Sequence, residues 1–269
     1  MYFCNIEINT VTTMKYHDKE ERLYARWATR ARKLHESDEI TKDGLLYRGE
    51  LWFDGFNQVR KPGNEEQQWT DASLRLLVLT KELGEDDGWD IRGESGRVPS
   101  PRLTCRTAQR FFPNLELWVY GLMNIPDRKP MSFGRADNEV RLQGFFENAP
   151  IAHVNCKKQP DIKSASNMVM QKYLRDYADL IGEQIAMYDA DILLCVGGQG
   201  VMVKFLADYV YKDLEQFNEH IWFSPSASVI VVKQYHPNYN VYGRKEMYVS
   251  LMKDYQSFLK AQPSFPRQR

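Results

Sequence analysis

The sequence predicts an α/β fold: a three-layer sandwich with a central four-stranded parallel sheet flanked by helices, plus an N-terminal helical extension. Two observations carry this. Residues 74–80 (LRLLVLT), 151–155 (IAHVN), 191–196 (DILLCV) and 228–233 (SVIVVK) are short apolar runs, as expected of strands buried on both faces. Segments with apolar residues every three or four positions lie among and after them, and buried strands alternating with helices imply βαβ units and a parallel sheet.

The helical segments follow from spacing. Residues 17–36 place Leu23, Tyr24, Trp27 and Leu34 near one face of a charge-rich helix. Residues 164–187 carry Met170, Tyr173, Leu174, Tyr177, Leu180 and Ile181, with Ser164 or Ser166 as the cap. Residues 201–216 repeat the pattern with Met202, Phe205, Leu206, Tyr209 and Val210, and residues 244–260 with Met247, Leu251, Met252, Tyr255 and Phe258. Asp54-Gly55 is a turn signal, the polar stretch 61–70 reads as a loop, and a helix is expected near 103–123 ahead of a polar section at 124–140. Residues 1–70 have too few periodic apolar residues for a core of their own. They read as an extension packed on a main domain spanning 71–269.

Composition narrows the function classes. The chain has 269 residues, 36 Lys+Arg and 36 Asp+Glu, and its zero net charge argues against broad electrostatic coating of nucleic acid. A small phosphate-binding surface remains compatible with it. Cys4, Cys105, Cys156 and Cys195 are too widely spaced for CxxC pairs or a disulfide framework, so they read as reduced thiols in a cytoplasmic protein. No apolar run reaches the roughly 18 residues that a membrane span needs, and the N-terminus lacks the pattern of a secretory signal.

Ligands of open parallel sheets bind beyond the carboxyl ends of the strands. The four runs lead there into Glu82, Asn155, Gly197-Gly198 and His236-Pro237-Asn238, bringing a carboxylate, an amide, a glycine turn and an imidazole to one rim. Each also has an ordinary reading: a solvated loop carboxylate, a strand-closing turn, a tight strand-to-helix turn and a Pro/Asn turn. His153, inside an apolar run, reads as a satisfied structural histidine. Glu85-Asp86-Asp87 lacks the remaining ligands of a metal loop and reads as solvated. The glycine turn matches neither GxxxxGK[ST] nor a complete GxGxxG.

Taken together, LLVLTKELG, HVNCKKQP, ILLCVGGQGV and VIVVKQYHPN resemble, in order and spacing, the motifs of the uracil-DNA glycosylase superfamily across roughly residues 71–261. The resemblance implies a four-stranded parallel sheet between helices. It implies Glu82 as the water-positioning acid, Asn155 as the base reader and His236 as the histidine of the last motif. Lys81 and Leu83 stand where typical members carry Gly and Pro, and Asn238 where they carry Ser. The cysteines lack the close pairing of the iron–sulfur branches, so no cluster, metal or other cofactor is expected.

The implied function is hydrolysis of the N-glycosidic bond of uracil, or a related damaged base, flipped out of DNA by a monomeric enzyme without membrane contact. Catalysis would fall to Glu82 and His236, base binding to Asn155, Asn238 and the aromatic platform Trp89, with Phe111 or Phe112 as alternatives more suited to core packing. Lys157, Lys158, the Gly198 backbone and the Ser/Pro segments 99–101 and 224–226 would contact DNA phosphates, the ordinary reading of the lysines being a solvated loop. Two other readings share these residues: a noncatalytic nucleic-acid-binding relative, and an α/β enzyme acting on a free nucleoside.

Overall fold

The computed structural model describes residues 15–54, 57–82, 90–93, 110–160 and 165–267. Helix α1 (Tyr16–Lys33) leads to strand β1 (Gly44–Leu45), an antiparallel pair β2 (Leu51–Asp54) and β3 (Asn57–Arg60), helix α2 (Glu65–Asp71) and β4 (Leu76–Thr80). Then come α3 (Phe112–Met123), α4 (Phe133–Ala136), α5 (Glu139–Asn148) and β5 (Ile151–Asn155). The rest of the chain supplies α6 (Asn167–Asp176), α7 (Ala178–Tyr188), β6 (Ile192–Val196), α8 (Val201–Phe205), β7 (Glu215–Gln216), β8 (Ile221–Ser224), β9 (Val229–Gln234) and α9 (Arg244–Ala261).

The main sheet runs β1-β5-β4-β6-β9-β8-β7. Its centre, β5-β4-β6-β9, is parallel and comprises the four apolar runs. The sheet as a whole corrects the four-stranded expectation: it is mixed and seven-stranded, because β1 joins β5, β8 joins β9 and β7 joins β8 antiparallel. These additions are two to four residues long, too short to give a hydrophobic period.

Side chains alternate across the central strands. Leu77, Leu79, Ala152, Val154, Leu193, Cys195 and Val231 face one core with Leu23 and Trp27 of α1, Met170 of α6, Ile181 of α7 and Phe205 of α8. Leu76, Val78, Ile151, Ile192, Leu194, Ile230 and Val232 face the other with Trp118 of α3, Leu142 of α5, and Leu251 and Phe258 of α9. Helices therefore cover both faces, and this double covering is why the strands read as continuous apolar runs.

Several local expectations change. The helix expected over 164–187 is broken at Tyr177, which stacks on Tyr173 (4.2 Å between centroids) and Trp27 (6.1 Å). Ser166 caps α6, its hydroxyl accepting from Val169 N. Within the expected loop 61–70, α2 forms around fully buried Trp69, whose indole N–H donates to the Tyr188 carbonyl. The helix expected over 201–216 gives way after Phe205 to a single π-helical turn ending at Val210. The section 124–140 holds α4 and the start of α5. Gly55 of the expected turn lies outside the described residues.

The N-terminal segment shares the main core and carries a buried polar network. Asp43, fully buried, accepts from Lys158 Nζ with both oxygens (2.7 and 2.5 Å), from Gln184 Nε2 (2.8 Å) and from Asn155 N (2.8 Å). Burial pushes the Asp43 carboxyl up and the Lys158 ammonium down, while each opposes the other's shift. Glu20, also fully buried, accepts from Leu45 N (3.0 Å), Tyr188 Oη (2.8 Å) and Arg92 (2.7 Å). Gly44, at φ +141°, lies so close that an added Cβ would fall 2.2 Å from Glu20 Oε1. His17 contacts Glu20 (3.0 Å) and Glu65 (2.7 Å); burial opposes its charge, but the two carboxylates outweigh it and raise its pKa to about 9.

Removing one partner of a buried ion pair strands the other. Asp43→Ala is expected to cost about 3–5 kcal/mol in urea-monitored unfolding, and the double variant Asp43→Leu/Lys158→Met markedly less. Because His17 has a raised folded-state pKa, its contribution is complete below an unfolded value of about 6.5 and is lost as pH rises through about 9. Thermal midpoints should therefore fall between pH 6.5 and 9, and His17→Gln should flatten that part of the profile.

Candidate functional site

All four parallel strands end on one rim, and β4 and β5 are in register there, pairing Thr80 with Asn155. By strand alternation both side chains lie on the α3 face of the sheet, with His153 two residues before Asn155 on the same face. Thr80 Oγ1 donates to Asn155 Oδ1 (2.5 Å) and lies 3.0 Å from His153 Nε2. The Asn155 residue is 3% exposed, and its Nδ2 is buried without a hydrogen-bond partner among the described residues. Burial, reinforced by Lys158, lowers the His153 pKa to about 4, so this ring is neutral at ordinary pH.

Glu82 reaches the same rim from the α6 side. Its Oε1 accepts from Ala165 N (2.9 Å), while Lys81 Nζ donates to the Ala165 carbonyl, so two consecutive side chains grip both ends of residue 165. The Glu82 side chain is 3% exposed, and its Oε2 is buried without a hydrogen-bond partner among the described residues. A solvated loop carboxylate does not fit this burial.

His236 follows β9 and sits on the glycine turn: Cβ atoms added to Gly197, at φ +79°, would come within 3.4 Å of its side chain. Its ring lies 5.6 Å from that of Phe111, which is half-buried, and Asn114 Nδ2 on α3 anchors the loop through the Pro237 carbonyl (2.6 Å). His236 is exposed at the rim, yet partial burial of the ring and the nearby Lys81 ammonium lower its pKa. Asn238 N donates to His236 Nδ1 (3.2 Å), which leaves the proton of the neutral ring on Nε2. Asn238 Oδ1 is buried without a hydrogen-bond partner among the described residues.

The rim thus gathers Thr80, Lys81, Glu82, Phe111, His153, Asn155, Gly197, Gly198, His236 and Asn238, while Glu82, Asn155 and His236 share no direct hydrogen bond among the described contacts. Phe112, in contrast, is core. Trp89 and the segment 99–101 lie outside the described residues. Two expectations are corrected. Lys158 cannot contact a phosphate, because it is fully buried against Asp43, with its ammonium 4.9 Å from the Trp27 ring centroid. The segment 224–226 turns from β8 into the amino end of β9, so it sits at the opposite edge of the sheet from the rim, with Ser224 and Ser226 bonded to Asp213. Lys157 remains at the rim, half-buried, donating to the Gln159 carbonyl (2.8 Å). Gly198 lies beside Lys81, whose Cγ would be 3.6 Å from an added Cβ.

Thr80 and Phe111 carry more of the site than their motifs suggested. Thr80 was legible only through strand register, since it is the residue that Asn155 faces. Among the described residues no cluster of His, Cys, Asp and Glu has the arrangement of a metal site, and no helix is long and apolar enough to cross a membrane.

The two histidines should titrate apart from ordinary imidazole. In a proton-NMR titration assigned with His153→Asn and His236→Asn variants, His153 is expected near pH 4 and His236 below 6.5. Comparison of the sequence with family models and with curated proteins gave no match, so the functional reading rests on the rim itself.

Proposed function

We propose that the protein hydrolyses the N-glycosidic bond of uracil or a related damaged base extruded from DNA. One observation carries this reading: at the carboxyl rim, Glu82 Oε2, Asn155 Nδ2 and Asn238 Oδ1 are all buried without hydrogen-bond partners among the described residues. Buried polar atoms are nearly always satisfied, so an open acceptor on a carboxylate and an open donor on an amide at the same end of the sheet favour a polar ligand supplied from outside.

The chemistry needs a water, a leaving base and two charges to be stabilised. Glu82 Oε2 holds the water and takes its proton as the oxygen attacks the sugar C1′. The C1′–N bond breaks, and its electron pair leaves with the base. His236, neutral and protonated on Nε2, donates a hydrogen bond to the base oxygen on which that negative charge develops. Asn155 Nδ2 donates to a second base acceptor, and Phe111 offers an aromatic edge beside His236. The expelled base then takes up a proton from solvent. No step requires a metal or nucleotide cofactor.

A duplex oligonucleotide with one uracil tests the reading by strand scission after alkali. Wild-type protein should release the base. Glu82→Gln, Asn155→Ala and His236→Ala should each slow release by about 10²-fold or more. Tight, salt-sensitive binding without scission would instead indicate a noncatalytic nucleic-acid-binding relative, and wild-type rates in all three variants would remove the mechanism.

A further inference from the structure

The buried amide of Asn155 can present either a donor or an acceptor to a ligand, depending on which way it is turned. We infer that Thr80 and His153 fix that choice, holding Asn155 as a donor so that the site accepts bases with a ring carbonyl and rejects those with an exocyclic amine. The inference rests on the glycosylase reading and deepens it by naming the residues that set base class.

One chain of hydrogen bonds links His153, Thr80 and Asn155. Thr80 Oγ1 and the facing Asn155 atom are 2.5 Å apart, at the short end of the O–H···O range and below the usual N–H···O range. The facing atom is therefore Oδ1, and the single Thr80 proton is committed to it. The alternative acceptor for that proton, the Val154 carbonyl, is 3.4 Å away. Oγ1 then meets His153 Nε2 at 3.0 Å as an acceptor, which requires the neutral ring to carry its proton on Nε2. Polarity thus runs from His153 through Thr80 to Asn155 Oδ1, and the Nδ2 donor is left buried and unpartnered.

Reversing the amide would make Oγ1 accept from Nδ2 and redirect its proton, either to His153 Nε2, with the imidazole then protonated on Nδ1, or into the long 3.4 Å contact with the Val154 carbonyl. A carbonyl ligand, such as O4 of uracil or O6 of hypoxanthine, matches the present polarity. The amine of cytosine or adenine would oppose donor to donor, which leaves two buried groups unsatisfied. Thr80 and His153 need not touch the base; they are positioning residues acting through Asn155.

The test compares base release from otherwise identical oligonucleotides carrying uracil, hypoxanthine or cytosine at one position. Wild-type protein should release uracil and hypoxanthine and leave cytosine. Thr80→Val keeps the side-chain shape but removes the hydroxyl, and should lower the uracil-to-cytosine ratio of kcat/KM by at least about tenfold. Thr80→Ser restores the hydroxyl and should restore the ratio. His153→Leu removes the N–H that Oγ1 accepts, freeing the hydroxyl to turn, and should lower the ratio in the same direction, which keeps the test decisive if the valine variant fails to fold. Wild-type ratios in folded Thr80→Val or His153→Leu would overturn the assignment while leaving the glycosylase reading intact. No release of any base by wild-type protein would instead defeat the glycosylase reading, and the assignment with it.

Discussion

The Asp43–Lys158 pair is the constraint on which the arrangement depends. Two opposite charges are withdrawn completely from water, a cost that is met only when every remaining hydrogen-bonding capacity is used. Asp43 meets that demand by also accepting from Gln184 of α7 and from the backbone of Asn155. One carboxylate therefore ties the N-terminal segment, the end of β5 and a helix to one another. It holds the backbone of Asn155 from one side of the sheet while Thr80 holds its side chain from the other. The amide at the rim is positioned by a charge buried behind it.

The rim shows a division of labour between rigid and open groups. Asn155 and Glu82 are each anchored through one end and left unsatisfied at the other. His236 is exposed, but its orientation is specified by the Asn238 backbone and by packing on Gly197 and Phe111. In the proposed reaction such groups would need little reorganisation, which is where preorganised electrostatic stabilisation draws its advantage. Both histidines on this face are held neutral by burial and by lysines nearby, so their hydrogen-bonding direction, rather than charge, is what they contribute.

The parallel centre of the sheet was legible because doubly covered strands must be apolar on both faces, and 74–80, 151–155, 191–196 and 228–233 all obey that rule. Glu82, Asn155 and His236 were legible as the residues that follow such strands. What escaped was set by tertiary contact. β1 is two residues whose pairing depends on Gly44 approaching Glu20, and α2 forms because Trp69 fills a site beside Tyr188. Lys158 looked like a surface cation because the sequence places it among polar residues. Its partner lies 115 positions away, and no local pattern announces it. Thr80 was hidden for a similar reason, since its importance lies in the residue beside it on the neighbouring strand.

The seven-stranded sheet begins and ends on strands of two residues, Gly44–Leu45 and Glu215–Gln216. A sheet margin with unpaired N–H and C=O groups is an invitation to further chains, and its danger grows with its length. Here the long, apolar strands are all interior, and each flank offers only a stub, one of them bearing an exposed carboxylate. Among the described strands, this sheet thus keeps a strongly hydrophobic centre without offering a long apolar margin to another chain.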